Sequence, residues 1–196
     1  MSKVANRLKN VKKAVEKVVH GPTLRTDIKA QGAVAGPPLG PQLGQRGINI
    51  AAFCKDFNER TKDIQAGIPL PCRISVRADR SYELVIHQPP TTYFLKQAAG
   101  ARRGATKAGH DVAGKVTLKH IYEIAKIKSA DPPLQEVDLK EICEMVIRTA
   151  RSCGIQVVRD LDPVEYGEFL AQREEEMNAQ DEALAAVREA KLLRTK

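Results

Sequence analysis

The 196-residue chain contains no tryptophan, and its aromatic residues make up 4% of the total. Proteins that grip single strands stack bases on aromatic faces, so this composition argues against large stacking platforms. No apolar run approaches the ~18 residues of a helical membrane span, and no membrane partner is expected. The cysteines, Cys54, Cys72, Cys143 and Cys153, are widely spaced and make no C-x-x-C pair, so no zinc site is expected. Cys54 and Cys143 fall on apolar helix faces and Cys72 on an apolar strand face, which suits buried thiols in a reducing compartment. His20, His87, His110 and His120 are scattered without H-E-x-x-H spacing. Asp160 and Asp162 sit in polar surroundings with nothing to raise a pKa. No catalytic residue, metal, cofactor or small-molecule substrate is expected.

One stretch comes close to a nucleotide site. Gly109 to Val116, GHDVAGKV, nearly matches the phosphate-binding pattern G-x4-G-K-[S/T]. Val116 stands where the Mg²⁺-ligating hydroxyl belongs, and the preceding run, Arg102 to Lys107, is basic rather than an apolar strand. A nucleotide enzyme is therefore the weaker alternative. What survives is a Gly114-Lys115 step leading to a helix start at Thr117, where free N–H groups and a positive dipole end suit a backbone phosphate.

Charge is what the chain has in surplus: 32 basic against 24 acidic residues, a net of +8. From Asp160 onward ten acidic residues face five basic ones, so the preceding residues carry +13. A basic body with an acidic tail points to a polyanion, with nucleic acid the first candidate.

Gly36 to Gly47, GPPLGPQLGQRG, is the most unusual stretch. Proline fixes φ and glycine permits positive φ, and the interleaved Leu39 and Leu43 set the run apart from a flexible linker. It reads as a semi-rigid loop with a short helical turn, either displayed for contact or serving only as a connection.

The rest divides into segments. Residues 1–20 form a basic arm, either an organellar targeting segment or an arm lying on nucleic acid. Residues 21–99 form a small α+β domain: a strand over 24–30, a helix capped by Asn49 running to about Lys62, and a hairpin turning at Asp79-Arg80. A short helix, capped by Thr91 or Thr92, closes it at Ala99. Residues 100–113 are a basic, glycine-rich linker or loop. Residues 114–159 are mostly helical. One helix is capped by Thr117 and carries Leu118, Ile121, Tyr122 and Ala125. A second has an Asp138/Glu141 capping box and an apolar face of Leu139, Ile142, Val146 and Ala150, and a short strand over 155–158 follows it. Residues 160–196 form an acidic helical tail with a thin seam of Leu170, Met177 and Leu184, either docked on a partner or isolated. Thr149, Arg151, Ser152 and Gly154 offer a cation, two hydroxyls and close backbone approach. That set suits folded RNA, and equally a plain helix C-terminus.

GPPLGPQLGQRGINI followed by FCKDFNERT, then GKVTLKHIYEIAKIK and RTARSCGIQVV, resembles the ribosomal L-eleven family of the large-subunit stalk base, over about residues 20–159. The resemblance implies an α+β protein of two domains plus the helical extension, non-enzymatic, with large-subunit ribosomal RNA of the GTPase-associated centre as partner. By motif match it implies RNA contacts at Gly114, Lys115, Thr117, Lys128, Thr149, Arg151, Ser152 and Gly154. The N-terminal domain is implied to swing over the same RNA, presenting Pro37, Pro38, Pro41 and Gln45 to translational GTPases. Other large-subunit and stalk proteins are implied as neighbours. The basic start and acidic tail look like the mitochondrial form, with a bacterial cytoplasmic form and a ribosome-independent RNA-binding scaffold as the alternatives. Gln31 to Ala35 departs from the bacterial pattern of a further proline and lysine.

Overall fold

The computed structural model describes residues 21–77 and 79–194. The expected basic arm, 1–20, lies outside them. Contacts divide the chain into two units, Met1–Ile86 and His87–Lys196.

In the first unit, β1 (Thr23–Lys29), β2 (Pro69–Val76) and β3 (Tyr82–Ile86) form an antiparallel sheet in that order. The period-2 pattern sets the register, with Leu24 opposite Ile74 and Ile74 opposite Leu84, so the apolar set shares one face. Among the described residues, two helices complete the unit, α1 (Leu39–Gly44) and α2 (Ile50–Arg60). Asn49 caps α2 as expected, its Oδ1 accepting from the Ala52 N–H at 3.3 Å. Phe53 and Phe57 are fully buried among Leu43, Leu70, Cys72 and Ile74, and each such side chain contributes roughly 1.5–3 kcal/mol. Cys54 and Cys72 are buried free thiols.

The second unit begins earlier than the sequence suggests. Helix α3 (Thr91–Ala98) does not close the first domain; its Leu95, and Ala99 just beyond it, are buried in the second core with Val116, Ile121, Val146 and Ile155. The boundary therefore falls at Ile86/His87 rather than within 100–113. Residue Pro90, not Thr91 or Thr92, occupies the N-cap of α3. Residues 114–117 are a strand, β4 (Gly114–Thr117), paired in parallel with β5 (Ile155–Val158). Between them lie α4 (Leu118–Lys128) and α5 (Leu139–Ser152).

Two local expectations shift. Helix α4 buries Ile121, Ile124, Ala125 and Lys128, leaving Leu118 and Tyr122 about half exposed. Asp138 stands at the α5 N-cap without a side-chain cap bond. A capping box forms instead at Thr117, whose N–H donates to His120 Nδ1 at 3.2 Å while its Oγ1 accepts from the His120 N–H.

The tail is one helix, α6 (Pro163–Arg194). Its first half docks on the second unit through Tyr166, Phe169, Leu170, Arg173 and Met177, and from Asp181 through Leu192 every residue is exposed. Leu184, placed on the seam by its spacing, is 52% exposed.

Candidate nucleic-acid interface

The predicted contacts separate into two groups. At the Gly114-Lys115 step the backbone is already occupied. Gly114 is buried, and a Cβ there would lie 2.8 Å from the Ala99 Cβ. The Lys115 N–H donates to Tyr166 Oη at 3.1 Å, and Tyr166 in turn donates to the Ala99 carbonyl at 2.6 Å. The Lys115 ammonium sits 5.0 Å from the centre of the Phe169 ring, a cation–π arrangement. The free N–H groups expected at this step are thus largely absent: Tyr166 takes one, and the capping box takes those of Thr117 and His120. Lys115 remains half-buried and Thr117 stands at the rim.

Lys128 is turned inward. Its ammonium donates to the Gln88 and Pro89 carbonyls at 3.3 and 3.4 Å and pairs with buried Asp131. Asp131 also accepts from the Gln88 N–H at 2.7 Å. This ion pair pins the segment that opens the second unit, so Lys128 is a structural cation with its donors spent inside the fold. Burial of the pair is tolerated because both partners are hydrogen-bonded.

The C-terminus of α5 is open. Arg151 and Ser152 are exposed, and among the described residues the Arg151 guanidinium has no partner. Thr149 and Ser152 donate their hydroxyl protons to helix carbonyls, of Met145 and Thr149 respectively, both at 2.8 Å. Each oxygen keeps lone pairs that accept, a match for ribose 2′-OH donors. Gly154 has φ +73°, and a Cβ there would lie 2.3 Å from the Ala105 Cβ. Glycine is required because residues 104–113 fold back over the helix end: the Ala105 N–H donates to the Cys153 carbonyl and the Ala113 N–H to the Gly154 carbonyl. Of the linker or loop expected over 100–113, the structure shows a loop tied to α5. Gly154 shapes this surface rather than lying open on it.

Sequence reasoning missed the groove beside Arg151, between the 109–112 loop, α5 and β5, with a volume of about 360 Å³. It also missed Tyr166 and Phe169, and the contact of Arg103 with Asp181 at 2.5 Å. The spacing of Tyr166, Leu170, Arg173 and Met177, at intervals of three and four, carried the docking signal.

In the first unit, Pro37, Pro38, Pro41 and Gln45 are all exposed, whereas Leu39 and Leu43 are buried. Gly40 lets α1 close against the preceding chain, since a Cβ there would lie 2.7 Å from the Ala35 carbonyl oxygen. Asn58 clamps the approach: its Oδ1 accepts from the Ala33 N–H at 3.0 Å and its Nδ2 donates to the Ala33 carbonyl at 3.2 Å. The stretch is therefore a fixed, proline-faced ridge whose one charge is Arg46, its Nη1 donating to the Gln42 carbonyl at 3.0 Å.

Comparison with known proteins agrees with this division. Residues 24–82 match the N-terminal domain of ribosomal protein L11, and residues 87–157 match its RNA-binding domain. A Drosophila melanogaster protein named large ribosomal subunit protein uL11m is 58% identical over 195 residues, covering 100% of both chains. A Caenorhabditis elegans protein of the same name is 57% identical, over 99% of this chain and 98% of that one. A Schizosaccharomyces pombe protein of that name is 44% identical over 131 residues, 67% of this chain and 91% of the other. Matched in both units and along its full length, the chain belongs to the ribosomal protein L11 family.

Proposed function

We propose that the chain is a non-enzymatic structural constituent of the large subunit of the mitochondrial ribosome, where its second unit binds large-subunit ribosomal RNA. The match of residues 87–157 to the RNA-binding domain carries this reading. The open α5 terminus supports it: an unpaired guanidinium for phosphate beside two hydroxyl oxygens for ribose. Arg151, Thr149 and Ser152 form the centre of the interface, with Thr117 and the half-buried Lys115 at its edge. Gly114, Gly154 and Lys128 act through the shape of the fold. Co-sedimentation tests the assignment. The tagged chain should travel with mitochondrial large subunits in mild salt, and its absence from them sinks the reading.

The proposal extends to the RNA of the GTPase-associated centre at the stalk base, and to transient contact of Pro37, Pro38, Pro41 and Gln45 with translational GTPases. The rigidity and exposure of that ridge support the second point. Replacing the three prolines with alanine should lower factor-stimulated GTP hydrolysis on assembled ribosomes while RNA binding stays unchanged. Unaltered hydrolysis would count against a factor-facing role.

A further inference from the structure

The groove beside Arg151 is walled by Val112, Ile147 and Val157. Val112 is 36% and Ile147 37% exposed, so apolar surface remains in water at a place continuous with the candidate RNA face. Its polar groups are few. Arg151 stands at the mouth, Gln156 is exposed on the rim, and Asp111 contributes a carboxylate. Asp111 Oδ2 accepts from the Lys107 N–H at 3.2 Å, and among the described residues its other oxygen has no hydrogen-bond partner. A carboxylate inside repels phosphate, and apolar walls gain nothing from it. A flat base suits the same walls, and its edge N–H groups suit Asp111 and Gln156. The volume of about 360 Å³ lies at the small end of the ~300–1,000 Å³ range of ligand sites.

Resting on the RNA-binding reading above, we propose that this groove holds one unstacked base of the ribosomal RNA, packed between Val112 and Ile147, with the adjoining phosphate on Arg151. The chain lacks tryptophan, and here aliphatic walls replace the usual aromatic platform. The base in the groove supplies a contact independent of salt, while Arg151 supplies the salt-dependent one.

The test uses the full chain and a transcript of the large-subunit RNA segment that it protects from nuclease. In the double variant Val112→Ala/Ile147→Ala, affinity should fall about tenfold, the result of removing several buried carbons, with the slope of log K against log salt unchanged. Among unpaired positions of the transcript, one abasic substitution should weaken wild-type binding comparably and cost nothing further in the double variant. Both side chains are partly exposed, so thermal melting reports whether the variant remains folded. Full affinity of a folded double variant overturns the proposal, as does an abasic series whose costs are the same in variant and wild type. In either case the RNA-binding reading stands. If the wild-type chain protects no large-subunit RNA, both fall.

Discussion

Two basic residues that the motifs treat alike have different physical lives. Arg151 is exposed and unpaired among the described residues; Lys128 is 9% exposed and holds Asp131, Gln88 and Pro89. Arg151→Ala should leave melting unchanged and reduce the salt slope of RNA binding by about one contact, or ~0.7–0.9 in log–log units. Lys128→Ala strands a buried carboxylate, so it should cost the second unit about 3 kcal/mol, read in urea denaturation. An unaltered denaturation midpoint would return Lys128 to the list of surface cations. Cys72 offers a pH test in the first unit. Burial, followed by the nearby Asp27 carboxylate, pushes its thiol up to about 12. The folded state keeps the proton that the unfolded chain sheds from about pH 8.5. Stability from this group is therefore whole below that pH and declines as pH rises toward 12, by about 1–2 kcal/mol at pH 10. Cys72→Ala should flatten that alkaline loss relative to wild type, and equal pH dependence of the two would refute it. Thiol labelling at pH 8 should modify the half-buried Cys143 and Cys153 well before Cys54 and Cys72.

Among the elements, α6 combines two behaviours in one helix. Tyr166 bridges the Lys115 amide and the Ala99 carbonyl, Phe169 lies against the Lys115 ammonium, and Arg103 reaches Asp181, Gln180 and the Met177 carbonyl. From Asp181 through Leu192 the helix is exposed, and its Leu184 and Val187 face water. Helix propensity alone does not hold such a segment rigidly in water, so the docked half anchors the rest. Tyr166→Ala removes a half-buried ring with both of its hydrogen bonds, at a cost of about 2 kcal/mol. Limited proteolysis should then cut within 163–194 faster than in wild type, while RNA affinity persists. A cleavage rate equal to wild type would show that Tyr166 does not secure the helix. The docking was only half legible beforehand. The seam of Leu170 and Met177 is visible as spacing, but Tyr166 joins it only because Gly114 leaves room for its hydroxyl, and Arg173 because it lines one pocket with Gly100 and Ala113.

At the scale of the molecule, two cores divide the work. The first contains the sheet, with α1 displayed at its surface; the second contains β4, β5 and the helices that carry the candidate RNA face. A fragment of residues 87–196 keeps Leu95, Ala99 and the Lys128–Asp131 pair with their partners. It should therefore fold and bind large-subunit RNA with the salt slope of the full chain. A fragment of residues 100–196 discards α3 and should melt lower, because Val116 and Ile121 lose Leu95. Comparable melting of the two fragments would contradict placing α3 in the second core.

Local features are legible in the order of residues: alternating strands, helices with three- and four-residue apolar spacing, the caps at Asn49 and Thr117, and the proline-stiffened ridge. Those features depend on neighbours within a few residues, and the collinear motifs pointed to the family. Tertiary structure decided which core α3 joins and which way Lys128 points. It also decided that Tyr166 fills the Gly114-Lys115 step, and that Val112 and Ile147, thirty-five positions apart in number, wall one groove. Each of these is a choice between partners distant in sequence. A helix presents several faces, and its apolar spacing leaves open which of two adjoining faces is buried until a partner surface is in place.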